Sequence, residues 1–153
     1  MDYFNYNRRQ SSVVQIGNKQ LGGNNPILIQ SMANVSTLDT NACVEQAIRI
    51  IDAGADYVRF TAQGIREAEN LGVIRQELTR RGYTNPLVAD IHFNPKAADA
   101  AAQVVEKVRI NPGNYVDSKI FNIREYSDEE YNAGIAKIRE RFIPFRHLCK
   151  EHN

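Results

Sequence analysis

The chain is poor in cysteine and has no long apolar run, and each absence excludes a class of protein. Cys43 and Cys149 are its only cysteines, and neither belongs to a CxxC pair or to a cluster with histidine. This usage favours reduced structural thiols over a metal or redox site. No apolar segment approaches the ~20 residues of a membrane span, and residues 1–10 are polar and lack a signal-peptide core. We therefore expect a cytoplasmic protein that binds neither membrane nor metal.

The chain also lacks an excess of charge of either sign. Its 19 basic and 18 acidic residues give a formal net charge of +1, which creates no long-range field for nucleic acid. No nucleic-acid partner is expected. The positions of the arginines, and not their number, therefore indicate what they bind. A glycine-rich phosphate loop, a zinc motif and a Ser-His-Asp order are absent as well. At 153 residues, with 42% hydrophobic and 24% charged residues, the sequence is typical of one globular domain.

What is present is a strand–helix pattern that repeats along the chain. Residues 13–21 predict a short β-hairpin around Gly17-Asn18, so residues 1–25 form an N-terminal tail and hairpin. Strands are then predicted at 26–32, 56–61, 87–93 and 107–111. Helices are predicted from Asp39 or Thr40, over 65–80, from Asn94-Pro95 and, after a loop at 112–126, from a capping box at Ser127 and Glu130. Pro144 is expected to break or restart the last helix.

Three of these strands carry polar side chains on one face. Alternate residues of a strand share a face, so apolar positions separate the polar ones. The polar positions are Arg59 and Thr61 in the second strand, Asp90 and His92 in the third, and Arg109 and Asn111 in the fourth. Because the carboxyl ends of parallel strands meet at one edge, the sequence predicts that these side chains converge.

The strand–helix repeat predicts an α/β fold with parallel strands and right-handed crossovers. In an open doubly wound sheet both strand faces would be apolar, whereas a barrel lumen becomes polar toward its mouth. The polar face therefore favours a partial TIM (β/α)8 barrel of about four βα units after the N-terminal β-hairpin. Since a full barrel needs ~250 residues, residues 26–153 are expected to be the first half of a substrate-binding barrel domain.

The converging residues allow two interpretations. Arg59 and Arg109 either pair with Asp90 to satisfy a polar barrel interior, or clamp a bound anion through their forked donors. Two arginines on one face favour the anion, and Asp90 with His92 can line the same site. Ser31 has no evident base to activate it, so it is interpreted as a further binding donor. The turn after Arg109 offers the side-chain amides of Asn111 and Asn114, although Asn-Pro-Gly-Asn is also an ordinary tight turn.

Four segments carry a family resemblance when they are taken together and in order. They read Ile29-Gln-Ser-Met32, Ala53-Gly-Ala-Asp-Tyr-Val-Arg59, Pro86-Leu-Val-Ala-Asp-Ile-His-Phe93 and Val108-Arg-Ile-Asn-Pro-Gly-Asn114. In this order and spacing they resemble the N-terminal part of the 4-hydroxy-3-methylbut-2-enyl diphosphate synthase family. The resemblance covers residues 13–114 and is less sharp beyond them.

The resemblance implies an oxidoreductase of the methylerythritol phosphate route to isoprenoids. Such enzymes reductively open 2-C-methyl-D-erythritol 2,4-cyclodiphosphate to a linear allylic diphosphate, with electrons from reduced flavodoxin or ferredoxin. The electrons pass through a [4Fe-4S] cluster held by three cysteines and a glutamate in a separate C-terminal domain. The barrel holds the substrate diphosphate. By this resemblance the holders present here are Arg59, Asp90, His92, Arg109 and Asn111, and no catalytic residue is assigned.

The resemblance also implies that the other barrel strands and the cluster domain lie outside these 153 residues. Neither Cys43 nor Cys149 matches a cluster ligand, so no cofactor is expected on this chain and it is expected to be inactive by itself. Two alternatives stay open: a different phosphate- or pteridine-binding TIM-barrel enzyme, and a non-catalytic binding module. Half a barrel exposes two strand edges, which predicts a homo-oligomer unless the hairpin and the 112–126 loop cover the open side.

Overall fold

The structure is a computed structural model that describes residues 9–116 and 125–152. Much of the predicted loop at 112–126 therefore lies outside the described residues. The described elements follow the predicted order, with a hairpin first, then strands alternating with helices, and a long helix last.

The N-terminal hairpin forms as predicted. Its strands β1 (Val14–Ile16) and β2 (Lys19–Leu21) pair in antiparallel register. Gly17 takes a φ of +55° in the turn, in the left-handed region that a two-residue hairpin turn favours. The Nζ of Lys19 lies 2.8 Å from Oδ1 of Asp56, and this ion pair fastens the hairpin to the start of a sheet strand.

Four parallel strands form one sheet, and their order in the sheet is their order in the chain. They are β3 (Gln30–Met32), β4 (Tyr57–Ala62), β5 (Leu87–Ile91) and β6 (Lys107–Ile110). Such a sequential parallel sheet with helical crossovers is the repeating unit of a (β/α)8 barrel. Within the described residues the sheet is open, with β3 and β6 at its edges, which is the predicted partial barrel.

Three helices connect these strands and cover one face of the sheet. They are α1 (Thr40–Asp52), α2 (Ile65–Arg80) and α3 (Pro95–Ala102). Two predicted N-caps are confirmed, because Asp39 Oδ1 accepts from the Ala42 N–H at 3.0 Å and Asn94 Oδ1 accepts from the Ala97 N–H at 3.2 Å. These caps start each helix directly behind the end of a strand, so the connections above the strands are short.

The core lies between the sheet and the helices. Fully buried strand residues meet fully buried helix residues there: Val58, Phe60, Leu87, Ala89, Val44, Leu71 and Ile74. Burying each large aliphatic or aromatic side chain contributes roughly 1.5–3 kcal/mol. This apolar face therefore supplies most of the stability of the fold and leaves the opposite face available for other chemistry.

The opposite face, which we call the polar face, changes character along the strands. Near the amino ends of the strands, Ile16 of the hairpin and Leu28 pack against Tyr57 and Val88. Near the carboxyl ends, the polar face carries the side chains of Arg59, Asp90 and Arg109. The hairpin thus covers only the amino end of this face and leaves the carboxyl end open.

Two strands are shorter than predicted by more than one residue. The strand predicted at 26–32 begins at Gln30, because the N–H of Ile29 donates to Asp56 Oδ2 at 2.9 Å instead of to a neighbouring strand. Ile27, which is 91% exposed, lies outside the core. The strand predicted at 87–93 ends at Ile91, because the backbone turns at Phe93.

The last helix, α4 (Asp128–His152), packs against α3. Its predicted capping box is confirmed, because Ser127 Oγ accepts from the Glu130 N–H at 3.2 Å and Glu130 Oε2 accepts from the Ser127 N–H at 3.0 Å. The prediction that Pro144 breaks this helix is wrong, since the helix continues to His152. Pro144 is exposed, so the carbonyl that loses its partner can bond to water, and the buried Phe145 anchors the second half of the helix.

Candidate functional site

A charged cluster forms where β4, β5 and β6 end. The register aligns Thr61 with Asp90 and Asp90 with Arg109, so these side chains share the polar face. Arg59 lies two residues before Thr61 and belongs to the same face. The cluster is therefore at the carboxyl ends of parallel strands, which is where barrels carry their active sites.

Asp90 is the centre of the cluster. Its side chain is only 3% exposed, Oδ2 accepts a hydrogen bond from Arg59 Nη2, and Oδ1 accepts one from Arg109 Nη1 at 3.0 Å. The side chains of Arg59 and Arg109 are 27% and 40% exposed. One carboxylate balances only one of the two guanidinium charges, so this trio retains a net positive charge at the open end of the sheet.

The ionisation of Asp90 follows from its neighbours. Burial by itself raises the pKa of this carboxyl, but the hydrogen bonds and charges of Arg59 and Arg109 outweigh burial and hold the pKa below its ordinary value. Asp90 is therefore a carboxylate at neutral pH. It acts as a fixed anion that orients two guanidinium groups and not as a proton donor.

His92 extends the cluster toward the turn after β6. His92 Nε2 lies 3.0 Å from Arg109 Nη1 and 3.4 Å from Asp90 Oδ2. On the other side of the ring, His92 Nδ1 lies 3.4 Å from the side-chain amide of Asn114. Arginine can only donate, so the contact of Arg109 with His92 is a hydrogen bond where Nε2 accepts, as in the tautomer with its hydrogen on Nδ1. Asn114 Oδ1 is buried and has no partner among the described residues, and turning this amide over lets Oδ1 accept from Nδ1–H. Asn114 and Arg109 together orient the imidazole.

An open pocket of about 520 Å³ adjoins this cluster. It is lined by residues that follow β4 and β5, namely Thr61, Ala62, Gln63, His92, Phe93 and Asn94. The side chain of Asn94 ties the two connections together, because its Nδ2 donates to the Gln63 carbonyl at 3.3 Å. The site thus combines a positive cluster with a concave space large enough for a small ligand.

Four of the six predicted site residues meet in this cluster: Arg59, Asp90, His92 and Arg109. Asn111 follows β6 directly, but its Oδ1 accepts from the Gly113 N–H at 3.1 Å and so caps the 3-10 turn Pro112–Asn114. Asn111 is therefore near the cluster in sequence and is engaged in its own turn.

The prediction that Ser31 reaches the same site is wrong. In the sheet Ser31 aligns with Val58, whose side chain faces the helices. Ser31 accordingly lies beside Gln46 and Arg49 of α1, on the face away from Asp90. The one-residue offset matters because neighbouring strand residues point to opposite faces.

The sequence offered Asn114 only as a possible amide donor of the turn, and its contact with His92 was not predicted. The Asn-Pro-Gly-Asn segment is a good tight turn by itself, so nothing local indicates that its last residue reaches back to His92. The alternation of side chains along β3 could have indicated the neighbours of Ser31 as polar-face residues instead. Gln30 aligns with Tyr57, and Met32 aligns with Arg59, on that face.

The two cysteines do not fit an iron–sulfur cluster. Cys43 lies on α1 and is fully buried, its thiol donates to the Ser36 carbonyl at 3.3 Å, and burial raises its pKa to about 11. Cys149 lies on α4, and burial raises its pKa as well. Within residues 9–116 and 125–152, no group of three or more His, Cys, Asp or Glu side chains could hold a metal ion, and no helix is long and apolar enough to cross a bilayer.

Residues 11–148 match the family model of the GcpE TIM-barrel domain. This chain belongs to the GcpE TIM-barrel family. The membership agrees with the open parallel sheet and with a site at the carboxyl ends of its strands. It decides against a barrel of a different phosphate- or pteridine-binding family.

Curated relatives of this GcpE-family chain share one description, 4-hydroxy-3-methylbut-2-en-1-yl diphosphate synthase (flavodoxin). The protein from Parabacteroides distasonis is 72% identical over 99% of this chain and 25% of its own length. The proteins from Phocaeicola vulgatus and Akkermansia muciniphila are 66% and 50% identical, over 100% and 97% of this chain and 25% and 26% of their own lengths. The chain therefore spans about a quarter of the length of these relatives.

Proposed function

We propose that this GcpE-family chain is the part of a 4-hydroxy-3-methylbut-2-enyl diphosphate synthase that holds the diphosphate of the substrate. The observation that carries the proposal is the pair of guanidinium groups on Asp90, at the open end of the polar face. A diphosphate needs forked cationic donors, and arginine keeps its charge when water is removed. The relatives' shared name gives this anion its chemical identity.

Asp90 makes the two arginines an organised receptor for an anion. A guanidinium has five N–H donors, and each arginine uses only part of this set, Arg59 on Asp90 and Arg109 on Asp90 and His92. Orientation by Asp90 therefore leaves donors available while the side chains are already ordered, which lowers the entropy lost on binding.

The reductive step itself is assigned to the longer protein. There the [4Fe-4S] cluster would supply electrons received from flavodoxin or ferredoxin, and the described residues of this chain do not fit as its ligands. We propose that the 153-residue chain binds and orients the cyclic diphosphate 2-C-methyl-D-erythritol 2,4-cyclodiphosphate and is inactive as a reductase by itself. The boundary between a hairpin at 1–25 and a barrel part at 26–153, and the cytoplasmic location, stay predictions.

Arg109→Gln is expected to weaken binding of inorganic pyrophosphate by at least about tenfold, because a hydrogen bond to a charged group contributes about 1.5–3 kcal/mol. The measurement is an NMR titration of the 153-residue chain that follows the amides of β4 to β6. Arg146→Gln is the matched control, since Arg146 is exposed on α4, away from the polar face. Equal affinities for the two variants would show that pyrophosphate binds without using the cluster, and the proposal would be wrong.

Self-association is a further expectation of the open sheet. The edge strands β3 and β6 present backbone groups that lack a neighbouring strand within the described residues. The hairpin covers only the amino end of the polar face, through Ile16. Unpaired edges favour pairing with another chain, so we propose a homo-oligomer. Sedimentation equilibrium measures this directly, and a monomer at every concentration, together with a sharp thermal transition, would contradict it.

A further inference from the structure

Phe93 has an unusual backbone conformation at the edge of the site. Its φ is +57°, and among the described residues it is the one non-glycine residue with a positive φ. A bulky side chain is a clear outlier in this left-handed region, where glycine or asparagine is accommodated at lower energy. Strain of this kind persists where the surroundings enforce it, and such residues concentrate at ligand sites.

Contacts on both sides of Phe93 enforce the turn. The preceding His92 is held by Arg109 at 3.0 Å, inside the charged cluster. The following Asn94 caps α3 and also donates to the Gln63 carbonyl at 3.3 Å. The two neighbours are thus fixed in different directions, and Phe93 absorbs the change of direction between them. These contacts explain the turn, but they give no reason for an aromatic side chain at position 93.

The position of the ring supplies that reason. Phe93 is 40% exposed and lines the 520 Å³ pocket beside the cluster, with its ring centroid 6.3 Å from that of His92. The pocket therefore borders the cationic cluster at His92, which contacts Arg109, and has an apolar surface at Phe93. A ligand that fits both surfaces carries an anionic group joined to a compact hydrocarbon part.

We propose that Phe93 is a specificity-determining residue whose ring covers the carbon skeleton of the bound diphosphate ester, while Arg59 and Arg109 hold its phosphates. This inference rests on the proposed diphosphate-binding function. It adds a criterion that the arginines cannot supply, since guanidinium groups bind inorganic pyrophosphate and an organic diphosphate through the same oxygens. Discrimination between these two ligands then depends on contact with the ring.

The test compares two ligands, inorganic pyrophosphate and 2-C-methyl-D-erythritol 2,4-cyclodiphosphate, by calorimetric titration of the 153-residue chain. Phe93→Ala is expected to weaken binding of the cyclic diphosphate by about tenfold and that of pyrophosphate by less than about twofold, because only the organic ligand loses apolar contact. Phe93→Leu retains an apolar cover, so its loss for the cyclic diphosphate is expected to be smaller, about threefold.

The Phe93→Gly variant separates the effect of losing the ring from the effect of relieving the backbone strain. Glycine adopts a φ of +57° without strain, so this variant should be at least as stable to urea as Phe93→Ala, yet show the same loss of discrimination. A glycine variant that discriminates like the wild type would overturn the role of the ring. Equal weakening of both ligands by Phe93→Ala would overturn this inference alone, whereas a wild-type chain that binds neither ligand would overturn the diphosphate-binding function as well.

Discussion

Replacing Asp90 by alanine is expected to lower the free energy of unfolding by about 3 kcal/mol, because the change leaves two guanidinium groups without their buried counter-charge. Asp90 is 3% exposed in its side chain and accepts hydrogen bonds from both Arg59 and Arg109. Since both arginines retain some contact with water, the loss of unfolding free energy should lie near the lower end of the range for broken buried ion pairs. Urea denaturation measures it.

Glu45→Ala is the control for the Asp90 variant. Glu45 forms an ion pair with Arg81, but its side chain is 56% exposed. Exposed pairs contribute about 1 kcal/mol or less, so this variant should unfold almost like the wild type. If Asp90→Ala were no more destabilising than Glu45→Ala, the hydrogen bonds of Asp90 to the two arginines would not stabilise the fold, and the prediction would be wrong.

Two additional readouts connect the Asp90 variant to the site. Pyrophosphate should stabilise Asp90→Ala less than the wild type, because the two arginines have lost the carboxylate that orders them for anion binding. In the wild type the folded-state pKa of Asp90 lies below the ordinary value of 3.8, so its contribution is present above that value and disappears as pH falls through the folded-state pKa. Asp90→Asn should flatten this loss of stability in acid.

The second large effect is expected at α4. Phe145→Ala should lower the free energy of unfolding by about 3–4 kcal/mol, because it removes a buried aromatic side chain and leaves a cavity. Phe145 is 5% exposed, and its ring centroid lies 5.9 Å from that of the buried Tyr115. Phe142→Ala is the matched control. Phe142 is 40% exposed on the same helix, so its loss should be about 1 kcal/mol or less.

Tyr115 reports on the same contact. Burial raises the pKa of the Tyr115 hydroxyl to about 12. If Phe145→Ala releases α4 from this region, water reaches the hydroxyl and the pKa should fall toward the ordinary value of 10. A pH titration of the tyrosine ring carbons by NMR measures this. A Tyr115 pKa that stays near 12 in a destabilised Phe145→Ala variant would show that α4 is not what excludes water from it.

Local sequence determined most of the elements of this protein. The caps at Asp39 and Asn94 and the capping box at Ser127 are contacts between residues three apart, so their spacing alone predicts them. Alternation along β4, β5 and β6 predicted which residues share the polar face, because successive strand residues point to opposite sides whatever surrounds them. The convergence of Arg59, Asp90 and Arg109 follows from that rule together with parallel pairing.

Tertiary structure decided what depends on contacts between distant parts of the chain. Packing of Phe145 carries α4 past Pro144, and the carboxylate of Asp56 binds the N–H of Ile29 just before β3 begins. Contacts on both neighbours of Phe93 force its left-handed backbone. The register of a strand and the strain of a turn depend on partners 15 or more positions away along the chain, and local propensity contains no information about them.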